Sequence, residues 1–275
     1  MIVVDVGANR GDLAFDICTK NSDIRLFAIE PNYVLFGEQL KALENSLVGK
    51  FHYVPAALAD FNGTAKLYAP RHMHGQVGSL LKINDNNSWG KEIKNSFLTD
   101  KLEDNIEVEV ISVQKFLIDY KITEIDFLKI DAQGTDLLIL NEFLAKSIVK
   151  VAAVEIEVTP FGLHSHYKNA NNSFHDLLVI LQMTKYEIIK IMPANSECNE
   201  YNVFIAKSYE DYQRVDQELV FGKLKIFSRF WRVLGIGNDS GDDLKTLQLL
   251  LIRKLFLAFL HPISSYKSLL TKLTS

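Results

Sequence analysis

The stretch Asp5-Val6-Gly7-Ala8-Asn9-Arg10-Gly11 constrains this chain more than any other. It ends the apolar run Ile2 to Val6 and leads into a segment whose apolar residues Leu13, Ile17 and Cys18 recur at helical spacing. Strand, glycine turn and helix in that order open a βαβ unit. Gly7 permits the tight turn, and Gly11 allows backbone to approach a ligand closely. The helix start offers unpaired N–H groups and a positive dipole end to an anionic group.

The pattern repeats downstream. Ile24 to Ile29 reads as a second buried strand, closed by Glu30-Pro31-Asn32, and Tyr33 to Leu47 as a helix. Phe51 to Val54 is a third strand. Alternation then breaks: Asn62-Gly63 signals a turn into an exposed strand, Thr64 to Tyr68. Residues 70 to 104 read as a long polar loop that helps enclose a ligand. Strands follow at 106–113, 125–130 and 149–158, with helices at 114–120, 135–145 and 174–183. Tyr186 to Ile191 and Tyr201 to Ala206 read as an antiparallel pair at the sheet edge. The expected fold is α/β: a doubly wound, mostly parallel sheet with a helical extension at its C-terminus.

Length and charge set the outer limits. The 275 residues accommodate one well-buried domain, placed at 1–207, and an extension at 208–275. A net charge of −4 gives no electrostatic reason to bind nucleic acid. Cys18 and Cys198 have neither disulfide-framework nor zinc-ligand spacing. With no basic leader at Met1 and no uninterrupted apolar stretch of membrane-spanning length, the chain is expected to be cytoplasmic. From Phe221 onward nine Lys or Arg face three acidic residues, and Leu244 to Leu260 is apolar apart from Arg253-Lys254. Such helices either pack back on the domain or make a peripheral contact with a membrane or protein partner.

The spacing of Gly7 and Gly11, with Glu30 after the second strand to accept from a ribose diol, points to a nucleotide-like ligand. The middle glycine of a dinucleotide fingerprint is missing, which disfavours an NAD-dependent oxidoreductase. Residues 3–11 followed by Phe27-Ala28-Ile29-Glu30-Pro31-Asn32 resemble the FkbM family of S-adenosylmethionine-dependent methyltransferases. Ala56 to Asp60 with Gly63, the pair Ser79-Leu80, and the run from Asp126 to Asp136 (DFLKIDAQGTD) match the family's further motifs in order. The resemblance implies a class I, Rossmann-like methyltransferase with S-adenosylmethionine as cofactor. Carried over by position, it makes Asp5, Gly7, Asn9 and Gly11 the cradle for the methionine moiety. Glu30 becomes the ribose acceptor with Asn32 beside it, and Ala57 and Asp60 lie near the adenine. The chain departs from the pattern at Gln133 and Asp136, where the family usually has Glu, and at Gln114, where it usually has Asp.

Methyl transfer is a displacement in which positioning supplies much of the rate and a base helps an unactivated hydroxyl. Asp131, at the end of its strand, is the first candidate to orient or deprotonate the acceptor; a helix N-cap is its competing role. Glu155 and Glu157, two apart on one strand, share a face, and Glu157 is nearer the carboxyl end. His72, His74, His164 and His166 lie in segments that would border the acceptor, His164 being the catalytic choice. No metal site is assigned, a divalent ion held by Asp131 and Glu157 being the less favoured arrangement. The expected reaction is O-methylation of a hydroxyl on a sugar, glycolipid or secondary metabolite. The alternative from another class is a non-catalytic cofactor-binding module with a partner- or membrane-binding tail.

Overall fold

The structure is a computed structural model that describes residues 1–69, 78–84, 104–161, 163, 165–194 and 200–219. The C-terminal segment from 220, Cys198, His72, His74 and His164 lie outside the described residues, so expectations for them stay expectations.

Seven strands form the central sheet: β1 (Ile2–Val6), β2 (Arg25–Ile29), β3 (Phe51–Val54), β7 (Glu124–Ile130), β8 (Lys150–Val158), β9 (Glu187–Pro193) and β10 (Tyr201–Ala206). Their spatial order is β3-β2-β1-β7-β8-β10-β9, with β3, β2, β1, β7 and β8 parallel. Only β10 runs against its neighbours, on both sides. The apolar runs that read as two-faced strands are two-faced. Val4, Phe27, Leu128 and Val154 point to one layer, where they meet Phe116 of α3 (Val113–Asp119), Leu140 of α4 (Asp136–Asn141) and Leu177 of α5 (Phe174–Thr184). Val3, Leu26, Phe127 and Ala153 point to the other, against Ile17 of α1 (Asp12–Lys20), Leu40 of α2 (Tyr33–Ser46) and Val215 of α6 (Tyr209–Leu219). Burying large apolar side chains on both faces contributes about 1.5–3 kcal/mol each.

Three short strands make a second sheet in the order β4-β6-β5: β4 (Ala57–Ala59), β5 (Gly63–Ala69) and β6 (Asp104–Ser112). Pairing of β5 with β6 is antiparallel and that of β4 with β6 parallel. The helix expected at 135–145 is α4 followed by a π-helical turn, Glu142–Lys146. Helix α6 docks on the sheet through Tyr212 against Phe204 (ring centroids 6.1 Å) and Arg214 against Asp126 (3.0 Å). The first compact unit of the chain runs Met1–Phe221.

Sheet order reverses at β1, whose chain successor β2 lies on one side while β7 lies on the other. Connections leave in opposite directions there and open a crevice at the carboxyl ends, where open α/β sheets take their ligands.

Candidate functional site

A cavity of about 250 Å³ occupies that crevice. Its wall is built from the turn after β1 (Asp5, Gly7, Asn9), the end of β2 (Glu30), β4 (Ala57), the segment Gly78-Ser79-Leu80, and the end of β7 (Lys129, Asp131, Gln133).

The turn is held to its neighbours by backbone. Gly7 N–H donates to Ile29 O (2.9 Å) and Asp131 N–H to Val6 O (3.0 Å), so both ladders continue past the strand ends. Gly7 has φ +78°, and a Cβ there would sit 1.9 Å from the Asp131 carbonyl oxygen, so only glycine fits. Gly11 is also left-handed, but its Cβ position faces Leu43 and Leu40 at 2.8 and 2.9 Å. It caps α1 and lets α2 pack closely, and it is not part of the cavity wall.

Glu30 is buried, and both its oxygens accept backbone N–H groups at 2.8 Å, one from Asn9 and one from Asn32. Burial outweighs these donors and pushes its pKa up to about 7, with Asp5 and Asp131 adding to the rise. Each oxygen keeps a lone pair for a further donor. Asn32 is buried as the cap of α2, its side chain accepting from Leu35 N–H at 3.2 Å. Ala57 lines the cavity; Asp60 is exposed and does not.

Lys129 holds the opposite wall. Register aligns it with Asp5 on β1 and Glu155 on β8. Its ammonium lies 3.5 Å from Asp5 Oδ1 and 3.4 Å from Asp131 Oδ2. Both are ion pairs, the second also a long hydrogen bond from Lys129 to Asp131, and Asp5 Oδ1, wholly buried, accepts no hydrogen bond from any described residue. Burial raises the Asp5 carboxyl above the usual carboxylate range. Burial alone would lower the Lys129 ammonium, but Asp131, Asp5 and Glu155 around it hold its pKa above the ordinary value.

Asp131 does not cap α4, which corrects that half of the expectation. The exposed amides there are taken by Asp136, whose carboxylate accepts from Ala132 N–H (2.7 Å) and Gly134 N–H (2.8 Å). Asp131 instead receives the Gln133 side-chain amide at 2.7 Å, and the Gln133 carbonyl accepts the Tyr167 hydroxyl at 2.6 Å. The tyrosine proton needs an oxygen facing it, so this pair sets which end of the amide meets Asp131. Ser79 Oγ donates to the Gln133 backbone carbonyl (2.6 Å), and the Tyr167 ring occupies the space a Cβ on Gly134 would need.

Glu157 follows Glu155 toward the carboxyl end and does not line the cavity. Burial, Asp131 and Glu200 raise its pKa, and Glu200 rises with it. His166 Nε2 lies 3.4 Å from Glu200 Oε1, and burial lowers its pKa. Among the described residues no group of three or more His, Cys, Asp or Glu is arranged to hold a metal ion. No described helix is long and apolar enough to cross a membrane.

Sequence reasoning missed Tyr167 and Glu200. A tyrosine 34 residues after Gln133 carries no local signal; it arrives because Asn84 N–H donates to His166 O and Lys168 N–H to Lys82 O, both at 2.7 Å, which fastens its loop to the strap at 78–84.

A parallel sheet with a switch-point cavity, a glycine turn after the first strand and an acidic residue after the second defines a nucleotide-binding fold of the Rossmann-like type. The family model of the methyltransferase FkbM domain matches residues 5–188, and the chain belongs to that family. No curated protein matches it. Among solved structures it is similar to magnesium protoporphyrin IX methyltransferase (ChlM) from Synechocystis PCC 6803, with 9% identity over 75% of this chain and 69% of that one and a TM-score of 0.40. It is similar to M. capricolum TrmK at 14% identity, over 93% of this chain and 90% of that one, with a TM-score of 0.39. The O-methyltransferase NcsB1 from neocarzinostatin biosynthesis is 11% identical over 74% of this chain and 48% of that one, at a TM-score of 0.36.

Proposed function

We propose that this chain is an S-adenosylmethionine-dependent methyltransferase that methylates a hydroxyl of a sugar, glycolipid or secondary metabolite. The observation that carries the reading is one cavity joining Glu30 and the Gly7 turn to Asp5 and Asp131. The residues present suit the cofactor. The orphaned Asp5 Oδ1 and the glycine cradle accommodate a polar methionine moiety, with Asn9 in the same turn. Glu30 has acceptor capacity left for a ribose diol, Asn32 fixes it from the α2 cap, and Ala57 flanks the adenine, whereas Asp60 lies outside the cavity. When bound, the cofactor supplies an electrophilic methyl group.

The chain's own residues do the rest. Asp131, held by the Gln133 amide and Lys129, keeps an accepting oxygen for the acceptor hydroxyl and takes up or relays its proton. Glu157, on the neighbouring strand, is the second candidate to take part in that proton transfer, and His164 is the further candidate base. The segment 78–80, tied to Gln133 through Ser79, keeps water from the reacting groups.

Calorimetric titration with S-adenosylmethionine, with NAD, and of the Glu30→Ala variant tests the cofactor. Saturable binding of the first ligand alone, weakened in the variant, is expected. Well-folded protein that binds neither ligand would refute the reading. Glycan and polyol acceptors with labelled methyl donor then identify the substrate.

A further inference from the structure

Among the described residues Arg10 and Lys129 are the cations that line the cavity, and Lys129 is the one that lies between the acidic pair Asp5 and Asp131, at 3.5 and 3.4 Å. Glu155 backs it from the next strand. A buried ammonium at the meeting point of the two halves of the cavity is costly unless its partners compensate it. It also puts a fixed positive charge on the cavity wall between the Gly7 turn and Asp131, the parts that the cofactor reading gives to the methionine moiety and to the acceptor. The methyl donor and its demethylated product share the adenosine, the ammonium and the carboxylate. They differ only in one methyl and one positive charge, on sulfur.

Resting on the cofactor reading above, we infer that Lys129 determines the discrimination between S-adenosylmethionine and S-adenosylhomocysteine, holding back the sulfonium relative to the neutral thioether. In the transfer itself the sulfur–methyl bond breaks, its electron pair returns to sulfur, and the acceptor oxygen forms the new bond to carbon and gives up its proton. Positive charge therefore leaves sulfur as the reaction proceeds. A fixed ammonium nearby penalises the donor state and not the thioether state, so it favours the forward direction. Asp5, Asp131 and Glu155 face Lys129 and oppose this by attracting the sulfonium, so the discrimination reports the balance of the four groups.

The test is the ratio of dissociation constants for the two ligands, measured by calorimetry at fixed pH and ionic strength; no acceptor is needed. In Lys129→Met, which keeps the apolar stem, and in Lys129→Gln, which keeps a polar head, the ratio moves about tenfold toward S-adenosylmethionine. In Asp131→Asn, an isosteric change at a partly open side chain, it moves the opposite way. A merely structural lysine would weaken both ligands alike and leave the ratio unchanged, which would overturn the inference. An unchanged ratio in Asp131→Asn would also overturn it, even if neither lysine variant folds. Failure of wild-type protein to bind either ligand would refute the cofactor reading instead, so the two failures are distinguishable.

Discussion

Cofactor affinity should depend on pH through Glu30, and the dependence can be worked from the site. The site holds this carboxyl at about 7, against an ordinary 4.5, because burial costs the ion more than two backbone N–H groups return. A ribose diol donates hydrogen bonds and requires the ionised acceptor, so binding pulls the pKa down. Full return to 4.5 is a roughly 300-fold change in proton affinity, or ~3.4 kcal/mol at ~1.36 kcal/mol per decade, which bounds the effect. Over an accessible range, affinity should be about tenfold weaker at pH 6 than at pH 8, with nearly one proton released per ligand bound at pH 6. Titration calorimetry in buffers of different ionisation enthalpy measures both quantities. Asp136 and Glu155 are likewise pushed up to about 7, but neither lines the cavity. The Glu30→Gln variant isolates the effect: it binds more weakly at pH 8 and loses the slope. A flat wild-type profile between pH 6 and 8, or an unchanged slope in the variant, would refute the reasoning.

Three further outcomes follow from the geometry. Gly7→Ala combines a left-handed backbone with a Cβ 1.9 Å from Asp131 O, and should cost about 2 to 6 kcal/mol in urea unfolding, ~1–3 for each effect, while abolishing cofactor binding. Asp136→Asn leaves one of two backbone donors facing an amide nitrogen, and chemical denaturation at pH 8 should show a loss of roughly 1–3 kcal/mol. Because burial raises the Asp136 pKa to about 7 from 3.8, its contribution to stability is greatest below pH 3.8 and declines as pH rises through about 7; the variant should lose that decline. Ser173→Ala removes a capping box at the start of α5 and should lower stability by ~1 kcal/mol without changing cofactor affinity.

The cofactor half of the site was more legible than the acceptor half, for a physical reason. Gly7 and Glu30 belong to one local βαβ unit, where strand period, turn chemistry and helix start are written consecutively, and the central strands appeared as uninterrupted apolar runs. What decides the role of Asp131 is long-range. Capping and acid–base chemistry make the same demand on sequence, a carboxylate between strand and helix, and only the observed Asp136 bonds separate them. Gln133 looked like the loss of a carboxylate. In the fold it is an oriented amide joining Asp131 to a tyrosine whose arrival depends on two distant loops pairing.

That distinction bears on why the acidic side chains do not disrupt the fold. Asp5, Asp131, Glu155 and Glu157 gather at the carboxyl ends of three adjacent strands around a single lysine. Four ionised carboxylates against one ammonium would repel strongly at low dielectric. They are managed in two ways: Asp5 and Asp131 pair with Lys129, and burial raises the pKa values of Asp5, Glu155 and Glu157, which favours their neutral forms. A carboxylate in place of Gln133 would add negative charge 2.7 Å from Asp131 and replace a donor with an acceptor. The amide keeps Asp131 hydrogen-bonded without further charge.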